Sequence, residues 1–157
     1  MKRCYAVSRE ILKFLVAQEP VNIKRAYSLW WERIHSLGTA RAAAILSAKR
    51  GGNIELAHAA GALHDIGRIL IGTEEGHALK GYETSKEFLA KMLIFDGREI
   101  EEIAVAVKNH NRKDLVGAPL DEITKDADIL DTFFLGIDLR TEVRWQRLAA
   151  LQKEIGF

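Results

Sequence analysis

An all-α fold is predicted by three features of the 157-residue sequence. Prolines are rare, with only Pro20 and Pro119. Apolar residues recur three and four apart nearly throughout, which lays an apolar stripe along a helix. Alternating runs, the mark of a half-buried strand, are hard to find. Together these describe one compact domain over residues 1–157, a bundle of about seven or eight helices. No internal repeat, low-complexity tract or long linker divides it.

A first helix carries Ile11, Leu12, Phe14, Leu15 and Val16, with Ser8 as a possible N-cap, and stops near Glu19-Pro20, because the residue before proline disfavours helical backbone. Pro20 suits the first turn of a second helix. That helix carries Ala26, Leu29, Trp30 and Ile34 and closes on His35-Ser36-Leu37-Gly38. Trp30 and Trp31 point about 100° apart on a helix, so one packs in the core and the other is partly exposed. A third, alanine-rich helix runs from Thr39 to Lys49, and Gly51-Gly52-Asn53 ends it and caps the next. The fourth helix runs from about Ile54 to His64-Asp65, burying Leu56, Ala59, Ala60 and Leu63. A loop at Gly72-Thr73-Glu74-Glu75-Gly76 follows, then a helix opening at His77 and carrying Phe88, Leu89 and Met92. Asp96-Gly97 is a turn, and Ile100, Ile103, Ala104 and Val107 form the stripe of a helix ending at His110-Asn111. Pro119 opens a helix through Ile123, Ala127 and Leu130, and Val143, Leu148, Leu151 and Ile155 mark a terminal one.

Basic and acidic residues number 23 and 22 and are mixed along the chain, which leaves no electrostatic footprint for a nucleic-acid polymer or an anionic membrane. A small anionic ligand needs only a local basic cluster. The single cysteine, Cys4, cannot close an internal disulfide and agrees with a reducing compartment. Met1-Lys2-Arg3 resembles the start of a signal peptide, but Arg9, Glu10 and Lys13 interrupt the apolar stretch that would follow. No apolar run approaches the ~18 residues of a spanning helix. A cytoplasmic location is expected.

Five histidines occur: His35, His58, His64, His77 and His110. All but His58 fall at or near the ends of predicted helices, where side chains from several helices converge. His58 precedes Asp65 by two helical turns, about 10 Å along the axis, which is too far to share an ion with it. Asp126 and Asp128 face directions about 200° apart, so only one of them can reach a common centre.

The ordered set His35, then His64-Asp65, then Asp128 resembles the HD-domain metal-dependent phosphohydrolases, whose pattern is a histidine, a His-Asp pair and a distant aspartate. The resemblance spans about His35 to Asp131 and includes Ala62-Leu63-His64-Asp65-Ile66-Gly67-Arg68 and Ala127-Asp128-Ile129-Leu130. It implies an all-α fold and a divalent metal held by His35, His64, Asp65 and Asp128. His77 and His110 fall where two-metal members place further ligands; Asp65 would then bridge, with His35, His64 and Asp128 on one ion and His77 and His110 on the other. Asp131, one turn beyond Asp128, would stand behind the ligands. Two departures bear on activity. Asn111 stands where the cyclic-di-GMP phosphodiesterase branch has a second histidine, and Arg68 stands where the nucleotidase branch usually has glutamate.

Mixed imidazole and carboxylate ligands suit Mn, Fe, Co, Ni, Zn or Mg, in one or two ions per chain, and open coordination positions make such an ion catalytic. Its bound water ionises far more readily than bulk water, and the hydroxide attacks phosphorus. The catalytic residues expected are Asp65 and Arg68. Arg68, Lys80, Lys108 and Arg112 are the expected substrate-binding cations, Arg68 foremost for its bidentate fit to phosphate. The expected activity is cleavage of a phosphomonoester, phosphodiester or phosphoanhydride, most plausibly of a nucleotide. The rival is a non-catalytic HD module that senses a nucleotide or metal or serves as an interaction scaffold.

Overall fold

The computed structural model describes residues 2–157, and among them it has eight helices and no strand. They are α1 (Lys2–Ala17), α2 (Leu29–Lys49), α3 (Ile54–Leu63), α4 (Ile66–Ile71), α5 (His77–Met92), α6 (Gly97–Asn109), α7 (Pro119–Phe134) and α8 (Glu142–Ile155). No described helix is long and apolar enough to cross a membrane.

The helix ends follow local chemistry. Asn53 accepts from Glu55 N and Leu56 N to cap α3, and Asp96 with Glu99 closes a capping box on α6. Thr141 accepts from Arg144 N at the start of α8, and Gly156 ends it in left-handed backbone. The apolar stripe of α1, Val7, Ile11 and Leu15, is fully buried. Every residue of α3 from Leu56 to Leu63 is buried, so α3 is the central rod. It packs against α1, α2, α6 and α7, while α5 lies across α4 and α6. Small residues such as Ala57, Ala59 and Ala60 allow that crowding.

Three regions differ from the sequence expectation. Ser8 is not an N-cap but lies inside α1, which already begins at Lys2, and the short helix α4 follows Asp65 where only a loop was expected. The third is the segment before α2. Residues 18–28 are not helical, and the two helices expected between Pro20 and Lys49 are one 21-residue helix, α2. The start is fixed by Ser28, whose hydroxyl accepts from Trp31 N. The preceding segment is a strap across α4: Arg25 donates to the Ile69 carbonyl and Ala26 N donates to the Gly72 carbonyl at 2.8 Å. The expected stop at Gly38 is absent because that glycine serves close packing. A Cβ there would lie 1.9 Å from Asp131 Oδ1 of α7. Neither tryptophan packs in the core: Trp30, expected with Ile34 on the apolar side of this helix, is 69% exposed and Ile34 is exposed too, while Trp31 is half-buried, because the buried face of α2 runs through His35, Thr39 and Ala43.

Candidate metal centre

His64 and Asp65 form the break between α3 and α4, where the helical backbone is interrupted at Asp65. Two residues on, Gly67 lies so close to α5 that an added Cβ would meet the His77 carbonyl at 2.1 Å and Gly81 N at 2.4 Å. This contact brings the His64-Asp65 turn against the start of α5, where His77 stands. His35 arrives from the middle of α2, His110 from just past the end of α6, and Asp128 from the middle of α7. All six side chains are buried.

The six fall into two groups, His35, His64 and Asp128, and Asp65, His77 and His110, each with its ligand atoms within 4.8 Å of one another. Asp65 faces both. Its Oδ2 lies 2.9 Å from His64 Nε2 and 3.6 Å from His35 Nε2, and its Oδ1 lies 3.4 Å from His110 Nε2 and 3.5 Å from His77 Nε2. Asp128 Oδ1 is 3.2 Å from His35 Nε2.

Hydrogen bonds behind the rings fix their tautomers. The Nδ1–H of His64 donates to the Gly61 carbonyl (2.7 Å), that of His77 to the Glu74 carbonyl (2.6 Å) and that of His110 to the Val107 carbonyl (2.6 Å). His35 Nδ1–H donates to Asp131 Oδ2 at 2.7 Å. A carbonyl only accepts, so each Nε2 of a neutral ring points a lone pair inward. Two such pairs nearly meet, His35 with His64 and His77 with His110, each at 3.1 Å. Facing lone pairs repel unless a cation lies between them, and Asp65 Oδ1 is buried with no hydrogen-bond donor. Ligands ~2.1 Å from an ion sit roughly 3.0–3.4 Å apart in octahedral or tetrahedral geometry, which these spacings match. The donor set therefore fits a divalent metal in each group, and the bonds to Nδ1 are the supporting contacts that metal-ligating histidines use.

The electrostatics agree. Burial opposes charge on Asp65 and Asp128, yet the Arg68 guanidinium and the surrounding imidazoles hold Asp65, and Lys113 and His35 hold Asp128, well below the usual carboxylate range. Burial also works against a charged His35, but Asp128 and Asp131 outweigh it and raise its pKa to about 9; burial pushes His110 down to about 4. A proton and a metal ion compete for the same His35 lone pair.

Asp131 depends on Gly38. Gly38→Ala places a methyl where the carboxylate sits, and the flexible side chain must turn away from His35. This variant is expected to fold normally and to bind metal about 10–100-fold more weakly. Competition with a chromogenic chelator measures this, and unchanged affinity would show that Asp131 does not orient His35.

The expected cations are placed differently from the sequence expectation. Arg68 reaches the centre, but it is buried and already engaged: Nε and Nη2 donate to Glu32 at 3.0 and 3.1 Å, Nη1 donates to Glu74 at 3.0 Å, and Nη2 pairs with Asp65. The rings of Tyr27 and Trp31 lie 4.5 and 5.0 Å from its Cζ. Arg68 thus orients Asp65, with few donors left for a phosphate. Lys80, Lys108 and Arg112 do not line the cavity over the centre. Lys80 pairs with Glu83, Lys108 lies over Tyr82, and Arg112 is exposed, because nearness to a histidine in sequence does not set the direction of a side chain. His58 contacts Ser8 on α1, and Asp126 pairs with Arg50 and Arg147 on the far side of α7, both away from the centre.

Three residues at the site were missed. Glu32, which holds Arg68, is one turn before His35 on α2, a spacing that could have revealed it. Arg140, in the loop before α8, and Arg144, in its first turn, line the cavity and had no local signal. Lys113, one of the basic residues close in sequence to the expected ligands, is buried with Nζ 2.5 Å from Asp128 Oδ2. Trp31 is sandwiched, its ring 4.4 Å from Tyr27 on one side and 4.4 Å from His35 on the other, so it is a wall of the site with no free face for a base.

A helical scaffold that converges four imidazoles and two carboxylates on a buried, cavity-facing point forms a histidine–aspartate cluster able to hold divalent metal. Its order along the chain is matched by a family model: the HD domain aligns with residues 33–133, well over half the chain. The chain belongs to the HD-domain family, of the metal-dependent phosphohydrolase superfamily. Among curated proteins, Ribonuclease Y of Fusobacterium nucleatum subsp. nucleatum is 36% identical over 78 residues, covering 49% of this chain. The match spans 14% of that protein's length. No solved structure matches the chain.

Proposed function

We propose that this chain is a phosphohydrolase that uses two divalent ions to cleave a small phosphorylated substrate, a nucleotide first among the candidates. The observation that carries this reading is the inward convergence of four Nε2 lone pairs on the two oxygens of Asp65. Ions bound there supply Lewis acidity toward the phosphoryl oxygens and acidify a coordinated water. The chain's own residues hold the geometry. Asp65 bridges the two halves, Arg68 keeps it oriented, and Asp128 is fixed by Lys113 at Oδ2 so that Oδ1 faces His35. A cavity of about 320 Å³ lies above them, of a size for a nucleotide-scale ligand.

Turnover of p-nitrophenyl phosphate and bis-p-nitrophenyl phosphate with Mn²⁺, Ni²⁺ or Co²⁺, abolished by a chelator, supports the enzyme. Ligand-dependent melting shifts without turnover would support the sensor instead. Elemental analysis of protein purified without chelator is expected to give about two ions per chain, falling to about one in the His77→Ala, His110→Ala double variant. One ion in both proteins would reduce the site to His35, His64, Asp65 and Asp128.

The match to a ribonuclease favours a second reading, in which the scissile bond is an RNA phosphodiester. The near-balance of basic and acidic residues argues against a long polymer, and cleavage of a short oligoribonucleotide distinguishes the two.

A further inference from the structure

The cations around the cavity differ in one respect, namely whether they already have a partner. Arg68 is engaged by Glu32, Glu74 and Asp65, and Lys113 is held on Asp128. Arg140 has no side-chain ion-pair or hydrogen-bond partner among the described residues, and Arg144 has only Asp128 Oδ2, at 4.0 Å, the limit of an ion pair. Both line the cavity that holds the histidines and aspartates. Arg144 is therefore within reach of an anion bound at the centre, and Arg140 stands one turn of backbone before it.

The backbone that presents Arg140 is unusual. Its φ is +65°, a left-handed conformation that only Gly, Asn and Asp adopt readily. Buried Leu139 anchors one side, and Thr141, which bonds Leu139 O through its N–H and caps α8, anchors the other. A strained residue fixed between two anchors presents a guanidinium to the cavity with nothing in the chain to receive it, the pattern expected of a site organised for a ligand.

We propose that Arg140 and Arg144 form a subsite for a second phosphate, and that the substrate is accordingly a phosphoanhydride such as a nucleoside di- or triphosphate. This rests on the phosphohydrolase reading and narrows its substrate. The scissile phosphorus lies at the His/Asp centre and the neighbouring phosphate on the two arginines. A phosphodiester carries one negative charge, which the centre's ions already meet; two further guanidiniums, Arg140 unpaired and Arg144 only weakly paired with Asp128, match a substrate with more charge than that. In the reaction, water's oxygen bonds to the scissile phosphorus and the bridging P–O bond breaks. Its electron pair leaves with the phosphate on the arginines, and the water's protons pass to the product phosphates and solvent.

The test is calorimetric titration of the Mn²⁺-loaded chain with methylenediphosphonate and with methylphosphonate. The diphosphonate is expected to bind about 100-fold more tightly to the wild type, and Arg140→Asn or Arg144→Gln each to reduce that ratio about tenfold, with metal content unchanged. The diphosphonate also gains contacts with the metal, so the readout is the dependence of the ratio on the arginines. Arg140→Asn has a second readout: asparagine tolerates left-handed backbone, so this variant is expected to melt about 2–4 °C higher while binding the diphosphonate less well. A ratio that neither variant changes overturns the proposal, as does an equal loss for both ligands. An arginine-dependent ratio without turnover of ADP, ATP or either p-nitrophenyl ester would leave the subsite standing and refute the enzyme. Turnover of monoesters without a diphosphonate preference would do the reverse.

Discussion

A chain carrying Asp65→Ala is expected to lose both metal ions and to show no measurable turnover. Asp65 is the one carboxylate shared by the two groups, with Oδ2 toward His35 and His64 and Oδ1 toward His77 and His110. Its removal takes a negative charge from the midpoint of two cation sites and leaves each with neutral imidazoles, plus Asp128 on one side. Lewis-acid stabilisation contributes several kcal/mol, so loss of the ions predicts a fall in rate of about a thousandfold or more. The fold should survive, because Arg68 keeps its bidentate partner Glu32 and is not left as an uncompensated buried charge. Asp65→Asn, which preserves shape and removes charge, should lose the metal as well. The measurements are metal content, turnover with saturating Mn²⁺, and circular dichroism to verify folding. A folded Asp65→Ala chain that retains two ions and full activity would refute the metal centre.

Gly67→Ala is expected to be the most destabilising single methyl addition at the site. The atoms its Cβ would meet, the His77 carbonyl and Gly81 N, are backbone of α5 and cannot rotate away. The α4 and α5 segments must therefore separate, at about 3 kcal/mol, which lowers the Tm of a chain this long by about 6–12 °C. The same displacement carries His77 away from Asp65, so the His77/His110 ion should be the first to be lost. Gly97→Ala is the control: nothing lies within 4 Å of its Cβ position, and alanine favours a helix. If Gly67→Ala melts with the wild type while retaining two ions, the close approach of α4 to α5 does not build the site.

The fold class, most helix boundaries and the donors that converge were legible because they follow from local chemistry. The spacing of Ile11 and Leu15 lays a buried stripe whatever it packs against, and Asn53 announces its helix by capping. The resemblance to the HD family supplied the order of His35, His64-Asp65 and Asp128. The two-turn spacing of His58 from Asp65, and the opposite phase of Asp126 and Asp128, agree with the structure, in which His58 and Asp126 lie away from the His/Asp cluster, since helical phase is a property of one element. The segment from Pro20 to Gly38 was misread because its apolar residues and its glycine serve contacts with other elements: Arg25 and Ala26 with α4 and the loop after it, and Gly38 with Asp131.

Taken alone, the sequence determined which imidazoles and carboxylates the chain carries and their order along it, because that chemistry travels with the residue. Only the tertiary structure decided which cations face them. Arg68 looked free beside Asp65 and is held by Glu32 from a different helix, Lys80, Lys108 and Arg112 point elsewhere, and Arg140 and Arg144 arrive from the loop before α8 and its first turn, far along the chain. A charged side chain is long and flexible, and its direction is set by the packing of whole helices and by the partner it finds there.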